Sequence, residues 1–140
     1  LFSDCIEFAK MGGMIDISTG GTTYIRPHEA VAVALERGTP PGNITFSTDG
    51  RGGVKRIDPV TGEVTYKPAP LDLNHKEMTM LVKKGILPLE DALKLLTTNV
   101  VKNLKIKGKG RIEPGYDADF VLLDEEMNIR GVITVGKRAE

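Results

Sequence analysis

Apolar residues along the chain recur at helical spacing in some stretches and in short β-branched runs in others, and the two kinds of stretch alternate. Asp4 to Lys10 carries Ile6, Phe8 and Ala9 and stops at Gly12-Gly13, which predicts the end of a helix. Met14-Ile15-Asp16-Ile17-Ser18-Thr19 is short, β-branched and bounded by glycine, the pattern of a strand. Pro27 suits the first turn of a helix, where its missing N–H leaves no bond unmade. From His28 to Arg37 the residues Ala30, Val31, Ala34 and Leu35 share one face, and Gly38 closes the segment. After a Pro40-Pro41-Gly42 turn, Asn43 to Thr48 reads as a second strand. Helix, strand, helix, strand is the order of parallel βα units.

Val54 to Lys67 breaks that rhythm: two short runs flank Asp58-Pro59-Val60-Thr61-Gly62, predicting a small hairpin. Helices then resume. Asn74 with Glu77 reads as a capping pair for a helix whose inward face is Met78, Leu81 and Val82 and whose end is Gly85. Pro88 starts another, with Leu89, Ala92, Leu93 and Leu96 inward, and Thr98-Asn99 caps a last short one carrying Val100, Val101 and Leu104. Beyond a basic, Gly-rich approach from Lys105 to Lys109, Phe120 to Asp124 and Ile129 to Val135 predict two strands of a small separate sheet.

Composition narrows the picture. A chain of 140 residues is one ordinary domain with room for a core. Its 19 basic and 19 acidic side chains cancel, which argues against nucleic-acid and membrane-surface partners, since neither phosphate field is matched. Cys5 alone excludes an intramolecular disulfide and fits a reducing, cytoplasmic setting. No apolar run approaches the roughly 20 residues of a membrane helix, and Asp4 and Glu7 interrupt what would be the core of a secretory signal. The opening Leu1-Phe2-Ser3-Asp4 reads as entry to a helix already under way, so the chain is expected to be a piece of something longer.

The informative chemistry lies in Thr45-Phe46-Ser47-Thr48-Asp49-Gly50-Arg51-Gly52-Gly53. Asp49 stands at the carboxyl end of a predicted parallel strand, where βα proteins place their working groups. A carboxylate there can bind a divalent metal or take a proton from water. Asp-Gly is equally a common turn dipeptide, and from the residues alone both readings stand. His28 and His75 each sit at a predicted helix start and read as surface or capping residues; 47 positions apart, they make no metal spacing of their own. Asp16 is either a barrel-lining or a buried, hydrogen-bonded residue. Ser18 and Thr19 end a strand and face either a substrate or the next loop. Cys5 and the methionines read as packing, and Lys105, Lys107, Lys109 and Arg111 as a solvated turn. No Ser-His-Asp order, Walker loop or cysteine pair is present.

Two stretches carry a resemblance. Gly108-Lys109-Gly110-Arg111-Ile112-Glu113-Pro114-Gly115-Tyr116-Asp117-Ala118-Asp119-Phe120-Val121-Leu122-Leu123-Asp124 resembles the tail of the amidohydrolase superfamily, and Phe8 to Ser18 with Ile44 to Gly52 resembles the isoaspartyl (β-aspartyl) dipeptidases. The resemblance implies an α/β fold: residues 1–104 as the last two βα units of a (βα)8 TIM barrel, and residues 105–140 as part of a β-sandwich. It implies a zinc-dependent hydrolase of β-aspartyl dipeptides, a metalloprotease-like activity on a small-molecule substrate at a binuclear zinc centre. Asp49 takes the position of the family's metal ligand and general base, then acid. Gly53 takes the position of a substrate-binding serine, so either a backbone group substitutes there or the substrate preference differs, and it is carried only as a weak contact. A whole barrel needs about 250 residues, and the family's His-x-His, bridging lysine, later histidines and substrate arginines have no counterpart here. The chain alone is therefore expected to be inactive and to hold no zinc. Open strand edges point to a homo-oligomer. The alternatives are another amidohydrolase (dihydroorotase- or hydantoinase-like, or an N-acyl amino acid deacylase) and a non-catalytic binding or scaffold module.

Overall fold

A computed structural model of the chain describes residues 2–20, 24–50 and 54–139. Helix α1 (Phe2–Lys10), strand β1 (Ile15–Ser18), helix α2 (Pro27–Glu36) and strand β2 (Ile44–Ser47) follow in the predicted order. β1 and β2 pair in parallel, with Ile15 opposite Ile44, Asp16 opposite Thr45, Ile17 opposite Phe46 and Ser18 opposite Ser47. Side chains alternate across a strand, so this register sorts them into two sets. Ile15, Ile44 and Phe46 join the core with Ile6 and Ala9 of α1, Val31 and Ala34 of α2, and a group contributed by the later helices. Asp16, Thr45 and Ser47 share the other face, where the Asp16 carboxylate accepts from the Thr45 hydroxyl (2.7 Å) and from that of Ser47.

The hairpin β3 (Val54–Ile57) and β4 (Val64–Lys67) pairs antiparallel, Ile57 opposite Val64. Its turn is held by Asp58, whose carboxylate accepts from the Val60 and Thr61 amides at 2.8 Å each. These backbone donors hold the Asp58 carboxyl below its ordinary pKa.

Helices α3 (Leu73–Lys83), α4 (Leu89–Lys94) and α5 (Thr98–Leu104) complete the helical part, and Met78, Leu81, Leu87, Ala92 and Leu95 fill the core against β1 and β2. The capping expectations are corrected. The N-cap of α3 is Asp72, not Asn74, and the Asp72 carboxylate pairs with Lys76 at 2.7 Å. Thr97 is the N-cap of α5, and Asn99 lies inside that helix, buried. Both asparagines are drawn to β2. Asn99 Nδ2 donates to the carbonyls of Ile44 (2.8 Å) and Pro41 (2.9 Å), and Asn74 Nδ2 reaches the Phe46 carbonyl at 3.5 Å. Enclosed carbonyls that need a donor outcompete a helix terminus that water can satisfy; the Pro41 carbonyl also accepts the Ile44 amide.

The last sheet is antiparallel and has three strands, β5 (Phe120–Leu123), β6 (Ile129–Thr134) and β7 (Lys137–Arg138). β7 was not predicted. Two residues after Gly136 (φ +75°) carry no period a sequence reading can detect. The approach to this sheet is tied down by Lys109, whose ammonium pairs with Asp117 (2.8 Å) and Asp119. Asp119 also accepts the Val135 amide at 2.8 Å. Lys109 foremost, and then that amide, lower the Asp119 pKa from its ordinary value.

Two outcomes follow. Asn99→Ala leaves the enclosed Ile44 carbonyl without its side-chain donor, while the Pro41 carbonyl keeps the Ile44 amide, and should cost about 1–2 kcal/mol in urea unfolding without changing the slope. Asp119 contributes stability above its unfolded pKa of about 3.9, and that contribution is lost as pH falls through the lower folded value. Asp119→Asn should therefore unfold more readily at neutral pH, with the gap to the parent chain closing in acid; a gap independent of pH would contradict this.

Candidate functional site

The two polar positions of β2, Thr45 and Ser47, point the same way as Asp16 of β1, and Asp49 follows two residues after Ser47. Asp16 thus resolves as exposed yet hydrogen-bonded, bracing β2 from its neighbour. The loop leaving β1 fixes the end of β2. The Thr19 amide donates to the Ser47 carbonyl at 2.7 Å, and the Thr19 hydroxyl lies 3.2 Å from that same oxygen and 2.8 Å from Asn74 Oδ1. Thr19 is buried, so of its two readings the structure supports the one that secures the loop. Gly20 then lets the chain pass against β2's exit. A Cβ there would sit 1.9 Å from the Thr48 carbonyl oxygen and 2.7 Å from Ala69 Cβ.

Asp49 comes next, exposed, with its backbone in the left-handed region at φ 50°. Such a conformation is uncommon for a residue with a side chain, though less so for Asp than for most, and it recurs where function holds it. The ordinary turn reading makes a testable demand, because an Asp that builds a turn caps amides just ahead of it, as Asp58 does. Among the described residues Asp49 makes no such bond and no ion pair. Its carboxylate is left to solvent at the carboxyl end of β2. Gly53 lies outside the described residues.

The expectation for His28 is corrected. It is 2% exposed, and Glu77 Oε2 lies 2.6 Å from its Nδ1 and accepts its backbone amide at 3.1 Å. This pair joins the start of α2 to α3. Glu77, expected to pair with Asn74 in a cap, serves His28 instead; the usable signal was its position four residues before Leu81, on the inward face of α3. His75 is partly buried, with Nε2 enclosed and without a hydrogen-bond partner. A cavity of about 520 Å³ opens between Thr19, Arg26 and Glu77, and Asp49 does not line it. Among the described residues no three His, Cys, Asp or Glu side chains gather so as to hold a metal ion. A binuclear centre does not fit the donors assembled here.

Parallel βα pairing with a carboxylate at a strand's carboxyl end is an α/β arrangement, and comparison with known proteins gives the class. The Amidohydrolase family model matches residues 5–139, so the chain belongs to the amidohydrolase family. Its fold resembles that of the β-aspartyl dipeptidase of Fervidobacterium islandicum AW-1 solved with β-Asp-Leu, with a TM-score of 0.80 and 33% identity over 98% of this chain and 35% of that one. The adenine deaminase of Desulfitobacterium hafniense (strain Y51) is 30% identical over 98% of this chain and 23% of its own length. The N-acetylglucosamine-6-phosphate deacetylase of Thermotoga maritima shares the fold at a TM-score of 0.66 and 19% identity. The chain therefore spans only about a third of the solved dipeptidase and less of the deaminase. Among the described residues no helix is long and apolar enough to cross a membrane.

The close approach at Gly20 yields a direct expectation. Gly20→Ala must push the Thr48 carbonyl aside, and should lower stability by about 1–3 kcal/mol in chemical denaturation. A neutral effect would show that β2's exit is not pinned from β1.

Proposed function

We propose that this chain is the C-terminal portion of a metal-dependent amidohydrolase of the isoaspartyl dipeptidase kind, contributing Asp49 to the active site. The observation that carries the reading is the Asp49 carboxylate, without a partner among the described residues and held at φ 50° where the parallel strand ends. The similarity to a dipeptidase solved with β-Asp-Leu supports the substrate class. On this reading residues 1–104 belong to the barrel domain and residues 105–140 to its β-sandwich, and Gly53 offers only backbone to the substrate.

Amide hydrolysis needs a proton taken from the attacking water and one delivered to the departing amine, since an amide anion is too basic to leave. One carboxylate suits both steps, as the proton accepted in the first is the proton returned in the second. For that it must be free of internal partners, as Asp49 is among the described residues, and held by rigid backbone, which the Thr19–Ser47 bond and the Asp16 brace supply. Zinc, the family's expected metal, needs several donors at tetrahedral positions. Asp49 by itself is one, so the remaining ligands would come from polypeptide beyond this chain.

Two measurements test the proposal. Elemental analysis of the purified 140-residue chain should find no stoichiometric zinc; tight binding would contradict the division of ligands. In the full-length enzyme carrying this segment, Asp49→Asn should lower kcat for β-Asp-Leu roughly a hundredfold to ten-thousandfold, with the circular dichroism spectrum unchanged. Retained turnover would remove Asp49 from the mechanism. Turnover of adenine or N-acetylglucosamine 6-phosphate in place of β-Asp-Leu would keep the family and overturn the substrate.

A further inference from the structure

Strands β3 and β4 form a two-stranded sheet by themselves, with no third strand beside either among the described residues. Little covers it: Ile57 is 59% exposed, Val64 46% and Tyr66 67%, and a bare two-stranded hairpin is marginal in water. We propose that β4 pairs with β4 of a second copy of this chain, antiparallel about a two-fold axis at Thr65, to give a continuous sheet of both hairpins.

The backbone makes this edge available. The Glu63 carbonyl accepts the Asp58 amide at 2.9 Å across the hairpin, so the backbone groups of Glu63 and Thr65 turn toward β3 and those of Val64 and Tyr66 turn outward. Among the described residues nothing bonds these outward groups. A two-fold at Thr65 sets Val64 of each copy opposite Tyr66 of the other, and residues so placed exchange both their N–H and C=O bonds. The same register suits the side chains. Glu63 comes opposite the second copy's Lys67, a pair of opposite charge, and Thr65 comes opposite its own mate; both are favourable cross-strand pairs. Val64 meets Tyr66 on the alternate face, and Ile57, opposite Val64 within the hairpin, extends that apolar row. The outer edge of β3 lacks this fit. Arg56 is the residue opposite Thr65, and the equivalent pairing about Arg56 would oppose two like charges. The contact uses none of the residues assigned to hydrolysis.

The test is the association of the 140-residue chain in solution. Sedimentation velocity over a concentration series should show monomer passing to dimer with a Kd of roughly 10–100 μM, as suits a small contact. Glu63→Lys should weaken the dimer about tenfold, because the two-fold presents each charge pair twice, and Lys67→Glu should do the same. Combining the two exchanges restores opposite charges and should restore the dimer. Thr65→Cys, in a Cys5→Ser background, should form a disulfide-linked dimer under mild oxidation. Directly opposed residues at such a non-bonded position lie about 4.5 Å apart at Cα, within disulfide reach. Val60→Cys is the collision control: Val60 is 91% exposed but sits at the turn, far from its mate in this register, and should link much more slowly. A chain that stays monomeric throughout would overturn the proposal. A dimer indifferent to the charge exchanges, or one that links through Val60 as fast as through Thr65, would overturn it as well and place the contact on another surface.

Discussion

The register of β1 against β2 is the constraint on which the rest depends. Pairing Ile15 with Ile44 and Asp16 with Thr45 turns every large apolar side chain of the two strands toward the helices and the hydroxyls and carboxylate away from them. A slip of one residue would invert both sets, carrying Asp16 into a core that contains Val31, Leu81 and Leu95. Asp16 also resists such a slip directly, because its two carboxylate oxygens are matched to the hydroxyls of Thr45 and Ser47, two residues apart on one face. A slip by one would offer it Ile44 and Phe46 instead. The polar face, the exit of β2 and the position of Asp49 are consequences of that match.

Much of this was legible in the sequence, for a physical reason. Elements whose residues obey one period, such as α2 with Ala30, Val31 and Ala34, or β2 between its turn and Asp49, were read to within a residue or so. What was not legible depends on partners distant in the chain. Asn74, Asn99 and Glu77 are polar residues near helix starts, and local rules make caps or surface of all three. Each instead serves a buried group from another element: a β2 carbonyl, two loop and strand carbonyls, and His28. Nothing in a sequence marks which polar side chain will be needed inside. The two-residue β7 was missed for the simpler reason that it is shorter than any repeat.

Asp49 and Asp58 show how structure separates readings that sequence leaves level. Both precede short turns with a glycine nearby. Asp58 uses its carboxylate to bind Val60 and Thr61, so its lowered pKa and its place are explained by the hairpin alone. Asp49 adopts the more costly backbone and receives no hydrogen bond among the described residues, so local stability does not explain it. A carboxylate free for chemistry is one part of a hydrolase, and the donor set around it is incomplete in a chain spanning about a third of its solved relative.

The outer edge of β2 bears on how such a chain stands by itself. Ser47 directs its carbonyl toward β1, so the alternate residues Ile44 and Phe46 present their backbone groups on the far side. Strand edges left bare invite pairing with another copy, and the sequence reading expected bare edges here. On β2 they are covered: the Phe46 amide donates to the Leu95 carbonyl at 3.1 Å, Asn99 serves the Ile44 carbonyl, and Asn74 reaches that of Phe46. Two asparagine side chains and one helix-end carbonyl thus satisfy the backbone groups of Ile44 and Phe46 that face away from β1.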